Sequence, residues 1–208
     1  MQTTPMKKIA VLASGRGSNF QAIADAIGPQ NINGQIIALF TDNKDAYAIE
    51  RAKALAIPVH IYHFKDYATK AEYEADLLAG MKACGADLFV CAGYMRIIGA
   101  EIARTFAGRM INIHPALLPA FPGLHGQKQA FDYGVKVAGC TVHFVDEGLD
   151  SGAIIVQKVV PVLDDDTEDS LADRILEQEH IAFPEAVKLF CADRLKIVGR
   201  KVRILPVN

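Results

Sequence analysis

Lys8-Ile9-Ala10-Val11-Leu12-Ala13, running straight into Ser14-Gly15-Arg16-Gly17-Ser18-Asn19, is the stretch whose reading decides the fold. An apolar run without polar alternation is what a strand buried on both faces requires, and such strands belong to parallel sheets. The glycines that follow let the backbone turn and approach a ligand closely. Beyond them Phe20, Ile23, Ala24 and Ile27 recur at helical spacing up to Gly28-Pro29, where the helix ends. A strand, a glycine loop and a helix in that order put unpaired helix N–H groups where an anion can sit. Ser18 or Asn19 can serve there as N-cap or as phosphate ligand. A dinucleotide fingerprint would need glycine at position 20, which is Phe20, and a P-loop would need a lysine the loop lacks. The loop therefore suits a single phosphate.

The same alternation continues outward. Strands are expected at 35–40, 58–62, 87–92 and 110–113, and helices at 46–56, 70–84 and 98–106, with Gly85 closing the second of these helices. This is the pattern of an α/β fold with a largely parallel sheet. From Val137 the pattern changes: residues 138–145 and 153–161 read as two strands joined by the loop Asp146-Glu147-Gly148-Leu149-Asp150-Ser151-Gly152, an antiparallel hairpin beside the parallel sheet. A long helix is expected from about Thr167, with Glu168 and Asp169 at its positive end. A last hairpin turns at Gly199. Without internal repeat, low-complexity segment or linker, residues 1–208 read as one domain.

Composition excludes several classes of function. Hydrophobic residues make up 51% and charged residues 22%, as in ordinary globular proteins, and the net charge of -2 offers no footprint for nucleic acid. The one basic cluster, Arg200-Lys201-x-Arg203, reads as a solvated edge. Cys84, Cys91, Cys140 and Cys191 form no C-x-x-C pair and no zinc spacing, so no metal is expected. No apolar run reaches the length of a membrane span, and Ile9 to Ala13 is too short for a signal peptide core. A reduced, cytoplasmic protein without membrane or nucleic-acid partner is the expectation.

The chemistry centres on Asn112-Ile113-His114-Pro115, which closes the apolar run from Met110. Residues two apart on a strand face the same way. An asparagine N–H can meet a developing oxyanion, and a histidine can exchange a proton near neutral pH. Asp150 is the candidate carboxylate to tune that imidazole. The segment 112–127 carries prolines and glycines that stiffen it, and its His125 reads as structural or at the substrate's edge.

Ser14-Gly-x-Gly-Ser-Asn19, Ala92-Gly-Tyr-Met-Arg-Ile97, Asn112-Ile-His-Pro-x-Leu-Leu-Pro119, Pro122-Gly-Leu-His125, Val142-His-Phe-Val145 and Gln178-Glu-His180 occur in this order. Together they resemble the phosphoribosylglycinamide formyltransferase family, the folate-dependent GAR transformylases of purine biosynthesis, over about residues 7 to 195. The resemblance implies the formyltransferase fold: α/β, Rossmann-like and doubly wound, a mostly parallel sheet with an antiparallel C-terminal hairpin. It assigns Asn112, His114 and Asp150 to catalysis, Gly17, Ser18 and Asn19 to the ribonucleotide phosphate, and Glu179 to the glycinamide portion. Met95, Arg96, Ile97 and Ile98, with Asn112 and the loop Asp146, Glu147, Gly148, Leu149 and Asp150, would line the folate site. Leu118-Pro119 is expected to be cis. Where the family places an arginine for the folate tail, this chain has Lys70, which keeps the charge but loses bidentate recognition of a carboxylate.

The implied partners are glycinamide ribonucleotide and 10-formyltetrahydrofolate, a co-substrate, in a monomer or homodimer. The expected chemistry is direct attack of the amine on the formyl carbon. His114 acts as an imidazolium whose pKa the Asp150 carboxylate raises, while burial alone would lower it. The competing readings are a formyltetrahydrofolate hydrolase, a transfer-RNA or sugar formyltransferase, and a non-catalytic flavodoxin-like phosphate-binding module. Relatives of the first kinds are usually longer, and the chain from residue 8 to 208 is expected to leave no room for their extra domains. The last would have no use for Asn112, His114 and Asp150 together.

Overall fold

A computed structural model describes residues 5–206 of the chain. The elements follow one another as β1 (Lys7–Leu12), α1 (Ser18–Ile27), β2 (Gly34–Thr41), α2 (Ala48–Ala54), β3 (Val59–Ile61), a 3-10 turn (Phe64–Asp66), α3 (Lys70–Cys84), β4 (Leu88–Cys91), α4 (Ala100–Thr105) and β5 (Met110–His114). Then come α5 (Gly126–Tyr133), β6 (Val137–Phe144), β7 (Ile154–Pro161), α6 (Glu168–Cys191), β8 (Leu195–Val198) and β9 (Lys201–Ile204). They form a nine-stranded sheet in the order β3-β2-β1-β4-β5-β6-β7-β9-β8.

Strands β3 to β5 of that order are parallel, and β6 and β7 continue the sheet antiparallel. The chain winds from β1 outward to β3, then returns to place β4 on the other side of β1. The order therefore reverses between β1 and β4, and α/β sheets bind ligands outside the strand carboxyl ends at such a point. The antiparallel β8–β9 pair joins the far edge through a single parallel match, Ile154 with Lys201.

Each face of the sheet has its own core. On one, Ile9, Val11, Ile111 and Ile113 pack with Phe20 and Ile23 of α1, Ile49 of α2 and Ile175 and Phe183 of α6. On the other, Ala10, Leu12, Phe89 and Met110 pack with Tyr73, Leu77 and Met81 of α3 and Ile102 of α4. Strand alternation then decides where chemistry can go. In β5, Ile111 and Ile113 enter the first core, whereas Asn112 and His114 share the face of Met110 and lie beyond the second core.

Helix ends follow local chemistry. Thr69 accepts from the Glu72 N–H at the start of α3, and Thr167 and Ser170 form a reciprocal capping box at the start of α6. Pro184 lies inside α6, so the His180 carbonyl has no N–H four residues on. The stiff segment expected over 112–127 stops short of its last residues: His125 takes a left-handed conformation and α5 begins at Gly126. Gly126-Gln127-Lys128-Gln129 offers almost no apolar periodicity, and among apolar residues only Ala130 is buried, which is why this helix left no trace in the pattern. No helix among the described residues is long and apolar enough to cross a membrane.

Candidate active site

Asn112 and His114 sit at the end of β5 with β6 alongside, where the register sets Asn112 opposite His143 and His114 opposite Thr141. The third member arrives from the loop after β6. Asp150 holds a left-handed backbone, φ 49°, and its carboxylate lies over the sheet face near side chains of both strands. Gly152 lets that loop fold tightly onto β6, since a Cβ there would lie 1.7 Å from the Phe144 carbonyl oxygen. The three residues expected to act together are therefore brought together: Asp150 Oδ2 lies 3.4 Å from His114 Nδ1, and Asp150 Oδ1 lies 3.5 Å from Asn112 Nδ2.

Hydrogen bonding orders the imidazole. His114 Nε2 faces the Phe121 carbonyl at 2.7 Å, and because a carbonyl only accepts, Nε2 carries a hydrogen. The working nitrogen is therefore Nδ1, toward Asp150. Phe121 presents that carbonyl from a left-handed backbone, φ 56°, in the loop containing the cis Leu118–Pro119 bond. The Thr141 hydroxyl ties the same loop to β6, donating to the Ala116 carbonyl and accepting from the Leu118 N–H. Gly123 N–H donates to Asp150 Oδ2 at 2.8 Å.

The electrostatics correct one expectation. Burial lowers the His114 pKa below its usual value, and the Phe121 carbonyl and Asp150 carboxylate only partly oppose this. The side chain is 4% exposed, so loss of hydration outweighs the nearby charge. The resting histidine is neutral at neutral pH, not the imidazolium the motif suggested. For Asp150, burial pushes the carboxyl up, but the His143 contact, the Gly123 N–H and, at the acid pH where it is protonated, His114 hold it below the ordinary carboxylate range.

His143 had no assigned role in the sequence, yet it completes the cluster. Its Nδ1 faces its neighbour Phe144's carbonyl at 2.8 Å, leaving the Nε2 lone pair to accept from Asn112 Nδ2 at 3.2 Å. This contact orients the Asn112 amide, with its second N–H toward Asp150. The signal was available in the strand periodicity, because His143 alternates with the buried Val142 and Phe144 and faces the same side as Asn112 once the strands pair.

The phosphate-loop candidates lie at the end of β1. Gly17 is the N-cap of α1, in a left-handed conformation, and no side chain caps the helix. Neither Ser18 nor Asn19 is the cap considered for it, so the first N–H groups of α1 stay available to an anion. A Cβ at Gly17 would meet Ala48 Cβ at 2.8 Å, so glycine is needed for packing as well as for φ. The buried Asn19 amide donates to Glu179 Oε2 at 2.6 Å, and Asn19 Oδ1 has no hydrogen-bond partner among the described residues. Burial raises the Glu179 pKa, with Asn19 partly opposing it. Arg51 Nε donates to the Arg16 carbonyl at 2.9 Å, so a cation that the motifs did not single out backs this loop.

The expected folate residues divide into exposed apolar groups and pinned polar ones. Met95, Ile97 and Leu149 are exposed on the loops that flank β5, a surface suited to a flat ring. Ile98 instead packs at the edge of the second core. Arg96 turns beneath its loop, with Nε 2.8 Å from Asp42 Oδ2 as a charge contact and its guanidinium over the Phe64 ring. Asp146 accepts from Ser151 Oγ and Gly148 N–H, and Glu147 pairs with Arg104 at 2.6 Å. Lys70, at the start of α3, lies 3.3 Å from Glu74, whose carboxylate occupies the space a Cβ on Gly99, after the Met95–Ile98 loop, would need. Among the described residues no group of three or more His, Cys, Asp or Glu is placed to hold a metal ion.

A sheet with a phosphate-sized loop after β1 at its switch point and an Asn–His–Asp cluster at the end of β5, one strand beyond β4, defines the class. The sequence matches the formyl transferase family over residues 7–187, and the chain belongs to that family. Within it the chain falls among the phosphoribosylglycinamide formyltransferases. It is 44% identical over 183 residues to the Bacillus subtilis phosphoribosylglycinamide formyltransferase, covering 88% of this chain and 94% of the relative. The crystal structure of glycinamide ribonucleotide transformylase 1 from Symbiobacterium toebii superposes with a TM-score of 0.93 at 47% identity, covering 97% of this chain and 95% of that one. The chain is also 48% identical over 185 residues to the trifunctional purine biosynthetic protein adenosine-3 of Drosophila melanogaster, covering 88% of this chain but 14% of that protein's length.

Proposed function

We propose that the chain transfers the formyl group of 10-formyltetrahydrofolate to the amine of glycinamide ribonucleotide, by direct attack and without an acyl-enzyme, in de novo purine biosynthesis. The observation that carries this reading is the convergence of Asn112, His114 and Asp150 at the end of β5, on the same sheet as the uncapped N-terminus of α1 after β1, with only β4 between the two strands. The α1 N–H groups at Gly17, Ser18 and Asn19 hold the phosphate, and the Asn19–Glu179 pair receives the glycinamide portion. Met95, Ile97 and Leu149 flank the folate ring. The backbones of Arg96 and of the Asp146–Asp150 loop supply its hydrogen bonds, because the side chains there are already engaged. Ile98 stiffens that loop from below, and Lys70 is the cation for the folate tail.

The chemistry follows from which atoms are free to act. The amine attacks the formyl carbon, the carbonyl π electrons move to oxygen, and Asn112 Nδ2 turns its weakly held N–H from Asp150 to the oxyanion. The amine nitrogen loses a proton to the His114–Asp150 pair, where Nδ1 carries it and the carboxylate stabilises the resulting imidazolium. That proton then passes to N10 of the folate as the carbon–nitrogen bond breaks and the carbonyl re-forms. A neutral resting histidine is what this sequence needs, since it begins as a base and ends as an acid.

Spectroscopic measurement of 10-formyltetrahydrofolate consumption, with and without glycinamide ribonucleotide, tests the reading. Turnover is expected only with the ribonucleotide present. Steady formate release in its absence would make the chain a hydrolase and overturn the assignment.

A further inference from the structure

We infer that Asp42 is a positioning residue that joins the ribonucleotide loop to the folate loop, so that glycinamide ribonucleotide and folate bind cooperatively. The inference rests on the functional reading above. Three parallel strands end together here. Asp42 follows β2, Ser14 lies two residues past β1, and Met95 and Arg96 stand in the loop after β4. Ser14 Oγ donates to Asp42 Oδ1 at 2.5 Å and accepts from the Met95 N–H at 2.9 Å. Asp42 Oδ2 lies 2.8 Å from Arg96 Nε. One buried carboxylate thus holds residue 14 of the first loop through a hydroxyl and residue 96 of the second through a cation.

The surroundings bury the serine and the carboxylate and hold the half-buried arginine between rings. Ser14 and Asp42 are 7% and 8% exposed, and the Arg96 guanidinium lies 4.1 Å over Phe64 and 5.6 Å from the Tyr73 ring centroid. The backbone completes the link: Ser14 N–H donates to the Gly93 carbonyl at 3.0 Å, and Asn43 Nδ2 donates to the Ser14 carbonyl at 3.1 Å. The exposed Met95 and Ile97 side chains flank Arg96 in sequence, so drawing Arg96 inward presents both to solvent. A ligand that orders residues 14–19 therefore also orders residues 93–99, and the second ligand meets a loop already set. The coupling is reciprocal by thermodynamic necessity.

The test is calorimetric, with tetrahydrofolate as a probe that carries no formyl group to transfer. Its Kd is measured with the wild-type protein and with Asp42→Asn, each with and without saturating glycinamide ribonucleotide. In the wild type the ribonucleotide is expected to tighten tetrahydrofolate binding about fivefold or more, within the usual range of coupling between sites. In Asp42→Asn the two Kd values should agree within about twofold. A merely structural role would lower thermal stability and weaken both ligands while leaving the ratio unchanged, and that result overturns the proposal. So does a wild type whose ligands bind independently. Failure of either ligand to bind the wild type would instead refute the functional reading, and the proposal with it. Should Asp42→Asn not fold, Ser14→Ala removes the hydroxyl relay and carries the same expectation.

Discussion

Asp150→Asn separates the proposed proton chemistry from substrate binding, and the structure says how large the effect should be. Asparagine is tolerated in the left-handed conformation found at residue 150, and its carbonyl oxygen still accepts from the Gly123 N–H, so the loop is retained. What disappears is the charge 3.4 Å from His114 Nδ1. At that distance, with an effective dielectric constant near 20, a carboxylate stabilises an imidazolium by on the order of 5 kcal/mol. Reorientation of the new amide and of water offsets part of this, so kcat should fall about 10²- to 10³-fold, as when a positioned acid or base is lost. The pH profile supplies a second signature. Activity should rise with pH as the lowered His114 group loses its proton, and the mutant's rising limb should lie further toward acid, because one of the influences raising that pKa has gone. Stopped-flow absorbance under saturating substrates gives kcat across pH, and calorimetry gives the ribonucleotide Kd. Unchanged kcat with collapsed ribonucleotide affinity would refute the reasoning, making Asp150 a binding residue.

Asn112→Ala should reduce kcat about 10²- to 10³-fold, the usual loss for one oxyanion donor, and near-wild-type turnover in the same absorbance assay would remove that role. Glu179→Gln should weaken ribonucleotide binding in calorimetry while making the unliganded protein more stable at pH 7. The folded pKa of Glu179 is raised, so the unfolded chain ionises more readily and native stability is lost as pH rises through that range. Glutamine keeps an oxygen for the Asn19 N–H, removes that loss and should flatten the dependence of urea midpoint on pH above about 4.5, near the ordinary glutamate value; a midpoint that falls at pH 7 would contradict this. Burial pushes the Cys91, Cys140 and Cys191 thiols up to about 12, so an aromatic disulfide reagent should label at most Cys84 until denaturant is added. Rapid modification of a second thiol in the native protein would show an opening that the packing does not contain.

Long apolar runs made the parallel half of the sheet legible. Lys8 to Ala13 and Asp87 to Ala92 lie on β1 and β4 to within a residue, because strands buried on both faces leave no room for polar alternation. The C-terminal end of α3 could be read because Gly85 takes the left-handed position that closes it. By contrast α5 is only eight residues long, mostly polar, and directly follows a loop rich in proline and glycine. The site was legible where strand alternation alone sets it, at Asn112 and His114. Asp150 was read from its acidic loop although it comes from a distant segment, but the other distant partners were not legible. The Phe121 carbonyl on His114, the Asp42–Arg96 contact and the lowering of the His114 pKa depend on chain reversals and burial that no local pattern encodes.

Strand β5 serves both the core and the chemistry through a single alternation: Ile111 and Ile113 fill one core, and Asn112 and His114 face the other way. A one-residue insertion or deletion inside this strand would rotate every later side chain by half a turn, driving amide and imidazole among aliphatic groups and isoleucines into the substrate cleft. Such a change cannot yield a well-folded but inactive protein that persists in a population. It removes structure and activity together, so length variation within residues 110–114 is purged as misfolding before it is tested as catalysis. Among natural or laboratory variants that still accumulate as folded protein, the loops around this strand should vary in length while the strand itself does not.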